Sequence, residues 1–317
     1  MFREEKSLKQ LIISGMSGFV GTNLSIYLSR QNYKFVSISR RPKNGEVTYS
    51  QVNSEICSNY NCFIHLAGNN HHIKNKIADE EYFKVNTELT KELFNQFLDS
   101  SCETFIYISS VKAAADQVDG FLTEQELPNP LTVYGKSKLA AEAYILSKQL
   151  TGNKRVYILR PCMIHGPNNK GNLNLLYNFV NRGIPYPFGQ YKNQRSFVSV
   201  ANLCFIIKEL IENNAIASGI YNISDDQTFS TRELVQIIGK TIAKPAKVLN
   251  VPKWILRLIA KIGDIIPLPI NSERVQKLTE NYCVSNKKIK RAIGKELPYT
   301  AEEGIIKTIE SFLKLEK

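Results

Sequence analysis

Apolar positions along the chain fall into short unbroken runs, separated by longer stretches with helical spacing. Leu11-Ile12-Ile13 is the first run and ends in Ser14-Gly15. Over Phe19 to Arg30, residues Phe19, Val20, Leu24, Tyr27 and Leu28 share one side of a helix. The pattern then predicts strands over Phe35–Ile38, Cys62–Leu66, Phe105–Ile108 and Val156–Leu159, and helices over Glu81–Leu98 and Tyr134–Leu150. Strands buried on both faces give such continuous runs. Their alternation with helices implies right-handed crossovers and a parallel, doubly wound α/β sheet. After about residue 165 the pattern loosens, and prolines such as Pro185, Pro187, Pro245 and Pro252 punctuate shorter elements. The expected division is a first domain over 1–165 and a smaller lobe over 166–317, with segments near 196–223 returning to the sheet.

The 317 residues are 43% hydrophobic and 22% charged, which excludes a disordered or fibrous chain. A formal net charge of +12 raises the expectation of an anionic ligand. The densest basic run, Lys287-Lys288-Ile289-Lys290-Arg291, has no interleaved aromatics and reads as a solvated helix face, so no nucleic-acid partner is expected. Six cysteines, at 57, 62, 102, 162, 204 and 283, form no Cys-x-x-Cys pair and no zinc spacing. They read as small core residues in a reducing compartment, and no metal is expected. The N-terminal MFREEKSLKQ has no apolar signal region, and no stretch reaches the roughly 18 apolar residues of a membrane span. A cytoplasmic protein without an integral membrane segment is expected. The segment from Pro252 to Ile270 mixes Trp254, Leu256, Leu258 and Ile259 with Lys253, Arg257 and Lys261. It should pack on the smaller lobe; the alternative is a basic amphipathic helix at a membrane surface.

Between the first strand and first helix stands Gly15-Met16-Ser17-Gly18-Phe19-Val20-Gly21, spaced G-x-x-G-x-x-G. Glycines there allow a tight turn and close approach of backbone to a pyrophosphate, with the helix N-terminus aimed at the phosphates. Gly15, Ser17, Gly18, Phe19, Val20 and Gly21 are therefore the expected cofactor contacts. The second strand ends Ser39-Arg40-Arg41-Pro42, without the acid that would bond an NAD ribose. Arg40 and Arg41 would instead clamp a 2′-phosphate, so NADP(H) is favoured and NAD(H) remains open. Tyr134-Gly135-Lys136-Ser137-Lys138 opens a predicted helix, with Tyr134 and Lys138 on one face. An ammonium beside the phenol would lower its pKa and suit it to proton transfer at a carbonyl or carbinol oxygen. Ser109-Ser110 ends the preceding strand, where a hydroxyl can hold that oxygen.

In GMSGFVG, HLAG (65–68), YISS (107–110), YGKSK (134–138), LRPCMIHGP (159–167) and RSFVSVANL (195–203), the chain resembles the extended short-chain dehydrogenase/reductase family, in its nucleotide-sugar branch, over nearly its whole length. The resemblance implies a Rossmann-type sheet with a smaller C-terminal substrate-binding lobe. It implies Ser110, Tyr134 and Lys138 as the catalytic set. Ser110 is preferred to Ser109 because family members write Ser-Ser-x-x-x-x-Gly here, although Ala115 stands at the glycine position. It adds Leu66, Ala67, Gly68 and Pro161 to the cofactor contacts, and makes Asn86 a structural residue. On the substrate side it points to His71, Ser110, Lys112 and Asn172, and to Arg195 and Arg274 for a diphosphate. Asn202 stands where the family often has aspartate. A homodimer through the helices at 81–98 and 134–150 is also implied.

Three chemistries of that family compete. A 4,6-dehydratase carries an acid/base pair beside the serine, whereas Val111-Lys112-Ala113-Ala114 follows here. A 4-epimerase holds NAD tightly, and the basic end of the second strand argues against it. A 4-ketoreductase needs one hydride from NADPH and one proton from Tyr134. The stretch Ser-Ser-Val-Lys and KGNLNLLYNFVNRGIPYPFG also resemble UDP-N-acetylquinovosamine-type 4-ketoreductases of bacterial surface-polysaccharide synthesis. The expected activity is NADPH-dependent reduction, at C4, of a UDP-linked 4-keto-6-deoxyhexosamine, with 4-epimerisation second. A non-catalytic NADP-binding regulator would be expected to have lost Tyr134 or Lys138; both are present.

Overall fold

The apolar runs of the first half become neighbouring strands of one sheet. A computed structural model describes residues 9–43, 45–69, 79–169, 171–266 and 271–315. Its strands are β1 (Gln10–Ser14), β2 (Lys34–Ser39), β3 (Val47–Thr48), β4 (Cys62–His65), β5 (Thr104–Ile108), β6 (Phe121–Leu122), β7 (Arg155–Pro161), β8 (Met163–His165), β9 (Arg195–Ser199), β10 (Gly219–Ile223), β11 (Thr228–Phe229) and β12 (Cys283–Val284). Its helices are α1 (Phe19–Arg30), α2 (Ser54–Ser58), α3 (Asp79–Phe83), α4 (Leu89–Leu98), α5 (Val133–Leu146), α6 (Asn172–Asn181), α7 (Val200–Glu212), α8 (Thr231–Thr241), α9 (Lys253–Ile265), α10 (Ser272–Thr279), α11 (Lys287–Ile293) and α12 (Ala301–Leu315). Seven parallel strands lie in the order β10-β7-β5-β4-β1-β2-β3, with Ile12 opposite Val36 and Ile13 opposite Ile64. The winding reverses between β1 and β4, and at such a switch point a crevice opens beyond the strands' C-terminal ends.

Side chains of a strand alternate between faces. Leu11, Ile13, Ile64, Ile106 and Leu159 therefore pack with Leu24 and Leu28 of α1 and Leu203 and Ile207 of α7. Their neighbours Ile12, Phe63, Phe105, Tyr107 and Ile158 pack with Cys57 of α2, Phe94 and Phe97 of α4 and Ile145 of α5. Each such large side chain, fully buried, is worth about 1.5–3 kcal/mol. A separate core joins Tyr177 of α6, Ile238 of α8, Leu256 of α9 and Ile305 and Phe312 of α12. All six cysteines are free and buried. No helix among the described residues is long and apolar enough to cross a membrane.

Three details depart from the sequence pattern. The helix expected over Glu81–Leu98 begins at Asp79 and contains a π-helical turn over Lys84–Glu88, which leaves Asn86 fully buried. α5 stops at Leu146, where the Ser147 hydroxyl bonds back to the Tyr144 carbonyl. Of the segment 196–223, β10 alone joins the large sheet. β9 pairs with β8 and β11 in a three-stranded sheet, and α7 covers one face of the large sheet.

Candidate active site

The glycine turn lies at the switch point. Gly15 has φ +78°, and a Cβ there would sit 2.6 Å from the Ala67 nitrogen. A Cβ on Gly21 would sit 2.4 Å from the Gly15 carbonyl oxygen. The turn thus has room for bare backbone only, and α1 starts close against β1. Gly18 caps α1 without a side-chain hydrogen bond, with Ser17 and Gly18 exposed and Phe19 and Val20 half-buried. Leu66, Ala67 and Gly68 leave β4 alongside. This cradle, which a single added methyl would fill, fits a dinucleotide pyrophosphate. Arg40 and Arg41 are exposed just beyond β2. Tyr49, which follows β3, bonds the Ser14 hydroxyl and the Gly15 backbone and feels the charge of Arg40; burial is the larger influence and pushes its phenol up. Tyr49 belongs to no motif, and only the sheet order brings it to the turn.

Ser110 follows β5 in extended conformation and accepts from the Lys112 N–H at 3.2 Å. Tyr134 lies in the first turn of α5. That turn is fixed by Thr132, which accepts from the Gly135 N–H at 3.2 Å, and by Asp116, which accepts from the N–H groups of Leu131 (2.6 Å) and Thr132 (3.0 Å). The Tyr134 and Ser110 hydroxyls are hydrogen-bonded, so the structure brings these two together. One turn along, the Lys138 ammonium donates to the Ile108 carbonyl at 2.9 Å and lies 4.8 Å above the Tyr107 ring. A Cβ on Gly68 would meet that ammonium at 3.0 Å, so the loop after β4 and the lysine border one space.

One expectation is reversed. The Tyr134 phenol is pushed up, not down: burial dominates, the Ser110 hydrogen bond draws it down, and Tyr82, packed edge-on at 6.4 Å, raises it. Lys138 is itself pushed down to about 8 by burial, against the pull of Glu142.

Behind the pair lies a buried ionic network absent from the sequence reading. Glu142, on the same face of α5 one turn beyond Lys138, is bonded by Arg160 of β7 through Nε at 3.0 Å and Nη2 at 2.5 Å, and by the Ser109 hydroxyl. The i, i+4, i+8 spacing of Tyr134, Lys138 and Glu142 was its available signal. Asn86 holds the loop after β4: it accepts from the Asn69 N–H at 2.8 Å and donates to the Asn69 carbonyl at 3.1 Å and the Ser137 hydroxyl at 3.0 Å. His65 is pinned by Ser14 at 2.6 Å and Thr90 at 3.0 Å, and burial pushes it down to about 3, so it stays neutral.

Among the residues expected to face substrate, Lys112 donates to the Asp116 carbonyl at 3.0 Å and lies 4.2 Å above the Tyr282 ring. Arg195, at the start of β9, is 3.7 Å from the Glu280 carboxylate, and both charges act on Lys112. Glu280 and Tyr282, which carried no motif, thus join the predicted Lys112 and Arg195. Asn172 is exposed as the first residue of α6, and Pro161 is buried at the end of β7. Asn202 is a strap: it donates to Asp225 at 2.8 Å and to the Tyr299 carbonyl at 2.9 Å. An aspartate there would face the Asp225 carboxylate. His71 lies outside the described residues, and Arg274 lies in α10 with its side chain likewise outside them.

The model of one family, described as the NAD dependent epimerase/dehydratase family, matches residues 11–224. A UDP-glucose 4-epimerase of Vibrio cholerae is 31% identical, and the match covers 98% of each chain. A GDP-6-deoxy-D-mannose reductase of Pseudomonas aeruginosa is 24% identical over 73% of this chain and 79% of its own. Among solved structures, MoeE5 in complex with UDP-glucose and NAD superposes with a TM-score of 0.75 at 20% identity, covering 97% of this chain and 100% of that one. With its glycine cradle, its Ser110–Tyr134 pair and Lys138 gathered at the C-terminal ends of the strands, the chain belongs to the NAD dependent epimerase/dehydratase family.

Proposed function

We propose that this enzyme reduces the C4 ketone of a UDP-linked 4-keto-6-deoxy-N-acetylhexosamine, with NADPH as the reductant. The observation that carries the reading is the end of β2, where Arg40 and Arg41 replace a ribose-binding acid beside the glycine turn. Two guanidiniums suit a 2′-phosphate, and an exchangeable NADPH suits a net reduction. When bound, the cofactor supplies the hydride. Tyr134, kept protonated by burial, gives its proton to the C4 oxygen as negative charge develops there, while the Ser110 hydroxyl holds that oxygen. The Lys138 cation, anchored on the Ile108 carbonyl, favours the phenolate left behind. Dehydration is unsupported: Asp116, the first acid after Ser110, is occupied by the N–H groups that start α5. Arg195 and Lys112 are the groups offered to the substrate diphosphate, and a homodimer is proposed from the family resemblance.

Incubation with UDP-4-keto-6-deoxy-N-acetylhexosamine should consume NADPH in proportion to a single 6-deoxy product. The second reading, 4-epimerisation, is favoured by the activity named for the Vibrio cholerae relative. Interconversion of UDP-glucose and UDP-galactose without net cofactor consumption, and no reduction of the keto-sugar, would replace the first reading by the second.

A further inference from the structure

The helix α9 buries only one narrow face. Leu256 and Ala260 pack into the second core, and Gly263 is buried on the same side. Trp254 is 67% exposed, Leu258 53%, Ile262 43% and Ile265 87%. At 3.6 residues per turn these four fall within an arc of about 80°. Arg257, Lys261 and Lys253 fall within a second arc of about 80° that adjoins it, and all three are exposed. The acid on that basic side, Asp264, is taken up by the Ser272 N–H at 2.9 Å and the Ser272 hydroxyl at 2.6 Å. Lys253 also lies 5.1 Å above the Tyr191 ring, which orients it without covering it. Packing on the smaller lobe, the expectation from sequence, accounts for the narrow face and leaves the apolar stripe open to solvent.

We propose that α9 docks the protein on the surface of an anionic phospholipid bilayer. Its apolar stripe would enter the headgroup–acyl boundary, and its cations would lie at the level of the lipid phosphates. A stripe of large apolar side chains flanked by Lys and Arg, on a helix too short to span, is the form that interfacial helices take. Charge selects this occupant over a second copy of the chain. A two-fold contact through the stripe would set Lys253, Arg257 and Lys261 against their own duplicates, in a molecule of net charge +12. An anionic surface is attracted by both.

Trp254 is the single tryptophan of the chain, so its emission reports on this helix alone. The full-length protein is mixed with vesicles of phosphatidylcholine, with or without phosphatidylglycerol, and then floated on a density gradient. Blue-shifted emission and flotation are expected with phosphatidylglycerol present, and both should fade as salt is added. The triple variant Leu258→Glu, Ile262→Glu, Ile265→Glu keeps the reporter and changes exposed positions only; it should stay in the aqueous fraction with its NADPH binding intact. Lys253→Gln, Arg257→Gln, Lys261→Gln should lower partitioning roughly a hundredfold, and serves also if the first variant fails to fold. Absence of shift and flotation, or equal binding to vesicles without phosphatidylglycerol, would overturn the proposal. A blue shift that grows with protein concentration without lipid, together with a rise in mass that the Leu258→Glu, Ile262→Glu, Ile265→Glu variant abolishes, would assign the stripe to a second copy instead.

Discussion

Tyr134 rests as a phenol. A tyrosine keeps its proton at neutral pH, and burial raises the cost of the phenolate further, so the proton that the proposed reduction would use is in place. A reductase needs its acid loaded, whereas oxidation of a carbinol would begin with the base form. Tyr134→Phe keeps the ring and removes the donor; kcat should fall by roughly 10²–10⁴-fold, with cofactor affinity unchanged by titration. Lys138 sets the alkaline side. Its ammonium is lost near pH 8 in the fold but only near 10.5 in the unfolded chain. Between those values the unfolded state binds the extra proton, so folding stability from this group rises with pH while the cation that supports Tyr134 disappears. The rate profile should therefore decline as pH passes about 8, and Lys138→Arg, which stays charged, should flatten that limb. At the other end of the site, the double change Arg40→Ala, Arg41→Ala should narrow the preference for NADPH over NADH in kcat/KM; an unchanged ratio would remove these residues as readers of the 2′-phosphate.

The elements were legible from sequence where burial is two-sided, and less so elsewhere. β1, β4, β5 and β7 lie inside the sheet and give unbroken apolar runs, so they read as strands without knowledge of their partners. β8 and β11 have only three and two residues, and their pairing with β9 depends on contacts far along the chain, such as Thr228 opposite Ser196; no local run announces that sheet. The π turn around Asn86 has the same origin, because its partners Asn69 and Ser137 are distant in sequence. The Tyr134–Lys138 spacing was visible and Glu142 extends it by one turn, but what that carboxylate holds could be read only once β7 supplied Arg160. That pair ties α5 to the sheet beneath the reacting groups. Breaking such a buried pair from one side leaves a bare charge, so Glu142→Ala should destabilise the fold by about 3–5 kcal/mol in urea titrations. Adding Arg160→Met to it should recover part of the loss, because the orphaned guanidinium goes too.

At the scale of the whole molecule, the loop after β5 meets the smaller lobe where the Tyr282 hydroxyl, on the chain following α10, donates to the Val111 (3.3 Å) and Ala115 (2.6 Å) carbonyls. Backbone bonds from the Ser196 N–H to the Tyr282 carbonyl (2.9 Å) and from the Tyr282 N–H to the Gln194 carbonyl (2.8 Å) join β9 to that chain, and on the role proposed for Arg195 an incoming diphosphate would compete with the Glu280 carboxylate, 3.7 Å away, for the same guanidinium. Arg195→Ala should weaken nucleotide-sugar binding by about 1.5–3 kcal/mol while leaving NADPH binding alone. Glu280→Gln should tighten it, as calorimetry with the UDP-sugar would show. Equal losses for sugar and cofactor in Arg195→Ala would put that arginine elsewhere. The buried thiols turn the same architecture into a recorder of its own breathing. Burial pushes Cys57 up to about 11 and Cys102 and Cys204 up to about 12, so none reacts as it stands. An alkylating reagent gains access only while the surrounding segment is open, and the thiols on different sides therefore time different doors. Cys57 and Cys102 watch the α2–α4 side of the sheet, Cys204 the α7 side, and Cys283 the strand after α10, where its thiol faces the Gln194 carbonyl at 3.4 Å. Peptide-resolved labelling of the unaltered chain would rank those openings, and a bound nucleotide sugar should slow Cys283 before it slows Cys102.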